Sequence, residues 1–281
     1  MKTYCVAIFC FLSLLFVGCN KRYSDIETAG LKGKVKSVRE ITYQAIGNQD
    51  TLVKGDIVMA EDIPNYYITY NEFGNTLDMF SYDNSNELLF RWHYTYDKDN
   101  QTLSAIYMDK YNEVLDSTYY VYDDKGNEKE YYHYDADGNL CYKMLQSYDR
   151  KGNCMEQKSI NVENLIIRDT KCKYKGKNLV EDASYDGDNH LIMYSKYTYD
   201  KHNNLKTQAI YNADSSINTQ GFYDYNENQD IIRSVTKVPQ TPDVEYTYKY
   251  TYDKKGNWTQ KITSLNGEVI LLTIRQIEYY N

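Results

Sequence analysis

The stretch YDADGNL, Tyr134 to Leu140, has the Asp-x-Asp-Gly spacing of a calcium loop, in which carboxylates converge on one hard cation. Equivalent stretches read YDKKGN and YDRKGN, with a basic residue where a ligand set would need an acid. Turn chemistry accounts for all of them. Neighbouring acids such as Asp123 and Asp124 have no spacing that divides them into acid and base. The four histidines are scattered. Only His133 comes near to facing a thiol, Cys141, across a hairpin, which reads as a base beside a nucleophile or as two neighbours on a sheet. No catalytic residue, metal site or cofactor is expected. The remaining chemistry is aromatic. Tyrosines beside Asn, Asp and Thr form either a core whose hydroxyls find partners or a surface on which sugars stack, with Trp92 and Trp258 the first rings to test for stacking.

The element that must position these rings is visible in EYTYKYTYDKKGNW, Glu245 to Trp258. Side chains alternate across a strand, so Tyr246, Tyr248, Tyr250 and Tyr252 share one face, and Glu245, Thr247, Lys249 and Thr251 the other. Asp253 can accept a backbone hydrogen bond from two residues on, and Gly256 can take the positive φ that returns the chain antiparallel. The expected turn is type I with a bulge.

This unit recurs. The tyrosines before the turns are Tyr70, Tyr96, Tyr122, Tyr148, Tyr174, Tyr199, Tyr225 and Tyr252, at steps of 26, 26, 26, 26, 25, 26 and 27 residues. A weaker series at the same step runs through Tyr82, Met108, Tyr134, Ile160, Tyr185 and Tyr211 and breaks at KVPQTPDV. Two turns per 26 residues give a two-strand repeat with strands of about eight residues, roughly 26 Å long. The column between the tyrosines (Thr69, Thr95, Val121, Ser147, Lys173, Thr198, Asp224, Thr251) is small or polar, which makes the aromatic side the core side.

YTYDKKGN, with VYDDKGN and SYDRKGN as weaker copies, resembles the YD or RHS repeat family over roughly Tyr66 to Trp258. In the large members such repeats wind into a β-shell enclosing a toxin. This chain is far shorter and lacks the Asp-Pro pair of the family's core-terminal motif, so toxin delivery is not expected to carry over. The resemblance implies instead a small, repeat-bearing bacterial envelope lipoprotein.

The N-terminus supports that address. Lys2, an apolar run from Cys5 to Val17, then Gly18 and Cys19 read as a signal peptide over residues 1–18, too short to span a bilayer. Its FVGC ending resembles a lipobox, which implies lipidation of Cys19 and a tether over residues 19–30. Asn20 in place of aspartate favours an outer-membrane, lipid-anchored location in a Gram-negative bacterium, facing the periplasm or the cell surface. A net charge of -8 argues against nucleic acid, leaving the membrane, an envelope protein or a polysaccharide as partners. Cys154 and Cys172 flank a hairpin loop and could form a disulfide, although a one-residue slip would put them on opposite faces.

The expected fold over residues 31–281 is all-β, a repetitive antiparallel hairpin meander of about 16 to 18 strands. Leu31–Gln44 adds a strand at the front, and VILLTI, Val269 to Ile274, apolar on both faces, suits a terminal strand docked on a neighbour. A closed ring of that size has a lumen wider than facing tyrosines fill, so a curved or coiled, incompletely closed sheet is expected. The expected role is a non-enzymatic binding module; a glycan-binding lipoprotein and a purely structural one are the alternatives.

Overall fold

The computed structural model describes residues 24–47, 51–58 and 65–281. The signal-peptide segment, Cys19 and the first part of the tether lie outside these residues. A one-turn helix α1 (Asp25–Thr28) opens the described chain, closed by a capping box in which Ser24 and Glu27 satisfy each other's backbone N–H groups.

Nineteen strands follow, all in one sheet. The first are β1 (Val35–Ile46), β2 (Val53–Ile57), β3 (Asn65–Tyr70), β4 (Thr76–Tyr82), β5 (Leu88–Tyr96), β6 (Thr102–Asp109), β7 (Val114–Tyr122), β8 (Glu128–Asp135) and β9 (Leu140–Tyr148). The rest are β10 (Cys154–Asn161), β11 (Ile166–Lys175), β12 (Asn178–Tyr185), β13 (Leu191–Tyr199), β14 (Leu205–Asn212), β15 (Ile217–Tyr225), β16 (Ile231–Lys237), β17 (Val244–Tyr252), β18 (Trp258–Leu265) and β19 (Glu268–Tyr279). Each pairs antiparallel with its successor from β3 to β19.

The sheet closes, against the expectation of an open coil. β1 pairs on one side with β19, from Val35↔Tyr279 to Gln44↔Leu271, and on the other with β3, from Ser37↔Thr69 to Ile41↔Asn65. The result is a closed barrel of 18 strands, with short β2 continuing the β3 side of β1. Two features supply the closure. The VILLTI strand docks on β1, so neither end of the meander stays an open edge. A bulge also recurs just after most turns, with Leu103, Lys129 and Thr259 as the extra residues, and bulges curl a sheet.

Following paired residues once around the barrel returns to a point about 20 residues along the starting strand; with that shear the strands tilt roughly 40° and opposite walls stand roughly 35 Å apart. Facing tyrosines do not fill that width, and the fold does not need them to. Only ten hydrophobic residues are buried among those described, too few for a packed centre in so large a ring. Cohesion lies within the wall. Hydroxyls of Tyr96, Tyr148, Tyr199 and Tyr225 each donate to a carbonyl 20 residues back, at Thr76, Glu128, Leu179 and Leu205. Tyr252 instead donates to Asp230 Oδ2, and the buried hydroxyl of Tyr174 has no partner.

The turns explain the rest of the repeat motif. Asp253 Oδ1 accepts from the N–H groups of Lys255 and Asn257, Gly256 N–H donates to the Asp253 carbonyl, and Gly256 sits at φ +82°. Asp123, Asp135 and Asp149 build the same turn, and Asn86, Asn100 and Asn203 take the left-handed position where glycine is missing. The closing asparagine links units: Asn257 Nδ2 donates to the Lys32 carbonyl and the Tyr279 hydroxyl, and its Oδ1 accepts from Lys32 N–H. Residues 24–34 are thereby laid across one end of the seam, where Leu31, Val35, Val38 and Tyr70 form the buried hydrophobic cluster. Asn257→Ala strands the Lys32 N–H and is expected to cost about 1 to 3 kcal/mol, read from thermal or urea unfolding.

Candidate functional site

The register separates two chemically different faces. Tyr250 lies opposite Lys261 and Tyr246 opposite Leu265, so the tyrosine face of β17 continues onto Lys261 and Leu265 of β18. This face is the more enclosed and lines the interior. Burial pushes the phenols of Tyr66, Tyr120, Tyr148 and Tyr250 well above their ordinary value, and that of Tyr225 to about 12.

The other face carries charge at mid-strand around most of the wall. Arg91 pairs with Asp78 at 2.7 Å, Lys158 with Glu156 at 3.0 Å, Lys173 with Glu181 at 2.6 Å and Arg233 with Glu245 at 2.8 Å. A lipid-facing barrel wall needs an apolar band about 25 Å tall, which these residues interrupt. No helix among the described residues is long and apolar enough to cross a membrane.

Two polar or aromatic clusters stand out on the inner face. The first is at the seam. Glu40 on β1 faces Arg275 on β19 and is only 2% exposed. Arg275 grips it through Nε at 2.8 Å and Nη2 at 2.7 Å, and the Tyr66 hydroxyl donates to the same carboxylate at 2.9 Å. Thr42 and Thr273 share a hydroxyl–hydroxyl bond of 3.0 Å beside them. The Arg275 guanidinium lies 3.4 Å from the centre of the Trp258 ring, and the Lys261 ammonium 5.2 Å from it. The adjoining cavity, lined by Leu31, Asn257 and Trp258 among others, is about 20 Å³, room for one water rather than a sugar ring. Trp258 is therefore part of the closure.

The second cluster runs from β5 to β9. Trp92 stacks on Tyr107, centroids 4.3 Å apart, and Phe90 leans on the same tyrosine at 5.2 Å. Tyr107 is directly opposite Asp116 on β7. His133 on β8 bonds Thr118 Oγ1 at 3.1 Å through Nδ1 and stacks on Tyr142 at 5.0 Å. Asp116 accepts no hydrogen bond from a described residue; burial pushes its carboxyl above the usual range, and His133 pulls it partly back. Trp92 and Trp258 sit five strand steps apart and do not share a site. Of the two, Trp92 is the ring stacked closely on a tyrosine whose other cross-strand neighbour is a carboxylate, Asp116.

Other expected pairings resolve plainly. His133 lies opposite Tyr142, so Cys141 belongs to the other face and its thiol turns to the Asn139 carbonyl. The pairing of a base with a thiol fails by one residue. Cys154 and Cys172 are both buried and free. The one-residue slip is present, but a bulge at Met155 rotates Cys154 back to the tyrosine face, opposite Tyr148. Burial pushes both thiols to about 12, partly opposed at Cys154 by its hydrogen bond to the Glu156 carbonyl. Asp135 of YDADGNL spends its carboxylate on the N–H groups of Asp137 and Asn139 and on the Asn139 amide. The seam residues Glu40, Arg275 and Lys261 carried no repeat period that would have flagged them in the sequence; their only signal was opposite charge on two strands at the chain's ends.

No protein-family model matches the chain, and neither does any curated protein. Among solved structures, a porin-like protein from Bacteroides uniformis is similar at 14% identity with a TM-score of 0.46, covering 88% of this chain and 99% of its own. A porin-like protein from Bacteroides vulgatus is similar at 10% identity and a TM-score of 0.37, with the same coverage. A TcdB2-TccC3-Cdc42 structure is similar at 13% identity and a TM-score of 0.28, and this chain spans 14% of that chain's length.

Proposed function

We propose that this protein is a non-enzymatic envelope lipoprotein of the YD-repeat type, anchored through Cys19 to the outer membrane, whose barrel stands in water and captures a partner on its interior face. The observation that carries this reading is the division of the wall. Ion pairs face outward at mid-strand, while tyrosines, Trp92 and Asp116 face a lumen too wide to be filled from its own walls. An enclosed aromatic surface with a few polar groups has the composition of a binding site.

A glycan is one occupant that chemistry allows, because the Trp92–Tyr107 pair offers ring faces with acceptors at the edge. A purely structural role is the competing reading, favoured by the tyrosine hydroxyls already spent on wall carbonyls. A glycan array and an envelope pull-down separate the two. Saturable binding lost in Trp92→Ala but kept in Trp258→Phe supports capture, and no saturable ligand in either assay supports the structural role. The anchor is tested on its own: Cys19→Ala is expected to move the protein from the membrane to the soluble fraction, and retention in the membrane would refute lipid anchoring.

A further inference from the structure

The geometry points to a subsite for an organic ammonium cation on the inner wall, formed by Trp92, Tyr107 and Phe90 with Asp116 as counter-ion. This rests on the interior being a ligand surface and specifies the chemistry of one part of it. Other inner-face carboxylates are partnered. Glu40 has Arg275 and Tyr66, Asp182 has the Tyr197 hydroxyl at 2.5 Å, and Glu128 has the Gln146 amide. Asp116 has the imidazole of His133 and the phenol of Tyr142 near it, and that imidazole is already engaged with Thr118 and Tyr142.

The surroundings reinforce the sign. Phe90 pairs with Asp109 and Asp116 with Asp135, so two turn carboxylates border the patch. Lys110 is spent on the ring of Tyr111, at 5.3 Å, and Lys143 belongs to the outer face, with its ammonium on Asn164 at 3.0 Å. Ring faces are electronegative and attract a cation placed over them, most strongly for tryptophan. At the seam the protein shows this chemistry with its own groups, Arg275 lying over Trp258 beside Glu40. At Trp92 the ring stack and the carboxylate are present, and among the described residues no cation lies over the Trp92 ring.

The test uses the full chain with choline and its uncharged carbon isostere, 3,3-dimethylbutan-1-ol, followed by calorimetry and by the indole N–H resonance of Trp92. Choline is expected to shift that resonance and to bind at least about tenfold more tightly than the isostere. Asp116→Asn is expected to remove most of that preference without lowering thermal stability, since it deletes a half-buried charge. Equal binding of the two probes, or an Asn variant that binds choline unchanged, overturns the subsite. A glycan or envelope protein that shifts Trp92 while choline does not would sink this inference and leave the capture reading standing. If Trp92→Ala fails to fold, Asp116→Asn and the isostere pair still decide.

Discussion

Replacing Arg275 with methionine is expected to lower the unfolding free energy by roughly 3 to 5 kcal/mol, the cost of leaving one member of a buried ion pair alone. Glu40 is almost wholly enclosed, and its carboxylate depends on two hydrogen bonds from Arg275 and one from Tyr66. Methionine fills similar space, so the effect reports charge rather than a cavity. The double variant Glu40→Gln/Arg275→Met removes the stranded carboxylate and is expected to recover part of the loss, because replacing both partners of a buried pair is often near neutral while Lys261 loses the counter-charge of Glu40. Urea unfolding of the four proteins closes the cycle. A single variant costing under about 1 kcal/mol, or a double variant as unstable as the two singles combined, would show that the pair does not hold the seam. The same substitution uncovers one face of Trp258, so a change in its fluorescence should accompany the loss.

The residues that made most of this fold legible are those of the turns. Asp253, Gly256 and Asn257 announce a hairpin by local chemistry alone, and their recurrence predicts the number and length of the strands. Closure was not legible, because it depends on β1, which has no copy in the repeat and pairs Val38 with Ile277 at the far end of the chain. No local pattern measures such a distance. The bulges hid a second feature: alternation counted from sequence puts Cys154 and Cys172 on opposite faces, whereas one extra residue at Met155 returns them to the same one. The tryptophans show where composition stops. Both looked like stacking rings, but Arg275, 17 residues beyond Trp258, covers one, and only the strand register reveals which. Asp116 was one acid among many until its pairing with Tyr107 placed it beside an aromatic stack.

Raising the pH is expected to unfold the barrel and ionise its tyrosines in one coincident transition between about pH 10 and 12. Burial lifts the phenols of Tyr66, Tyr70, Tyr120, Tyr131, Tyr148, Tyr174 and Tyr250 above their ordinary range, and Tyr225 to about 12. A raised value in the folded state means that folding favours the protonated phenol. The stability it contributes is therefore complete below the unfolded value of about 10 and lost as the pH climbs through the folded one. The rings also oppose one another's ionisation. Tyr120 feels Glu128, Tyr94, Tyr122 and Tyr131, and Tyr174 feels Cys172, Cys154, Tyr199 and Tyr148, so one phenolate raises the cost of the next along the wall. The thiols of Cys154 and Cys172, at about 12, act in the same direction. Because the hydroxyls of Tyr148, Tyr199 and Tyr225 each tie one strand to its neighbour, ionising them removes donors from carbonyls that have used them. Tyrosinate absorbance and circular dichroism followed on one sample should move together, while the chain in strong urea should titrate near pH 10. Phenolate appearing near pH 10 with the strands intact would mean that the tyrosine face is open to water along its length, and that the wall is held by its turns and backbone ladders alone.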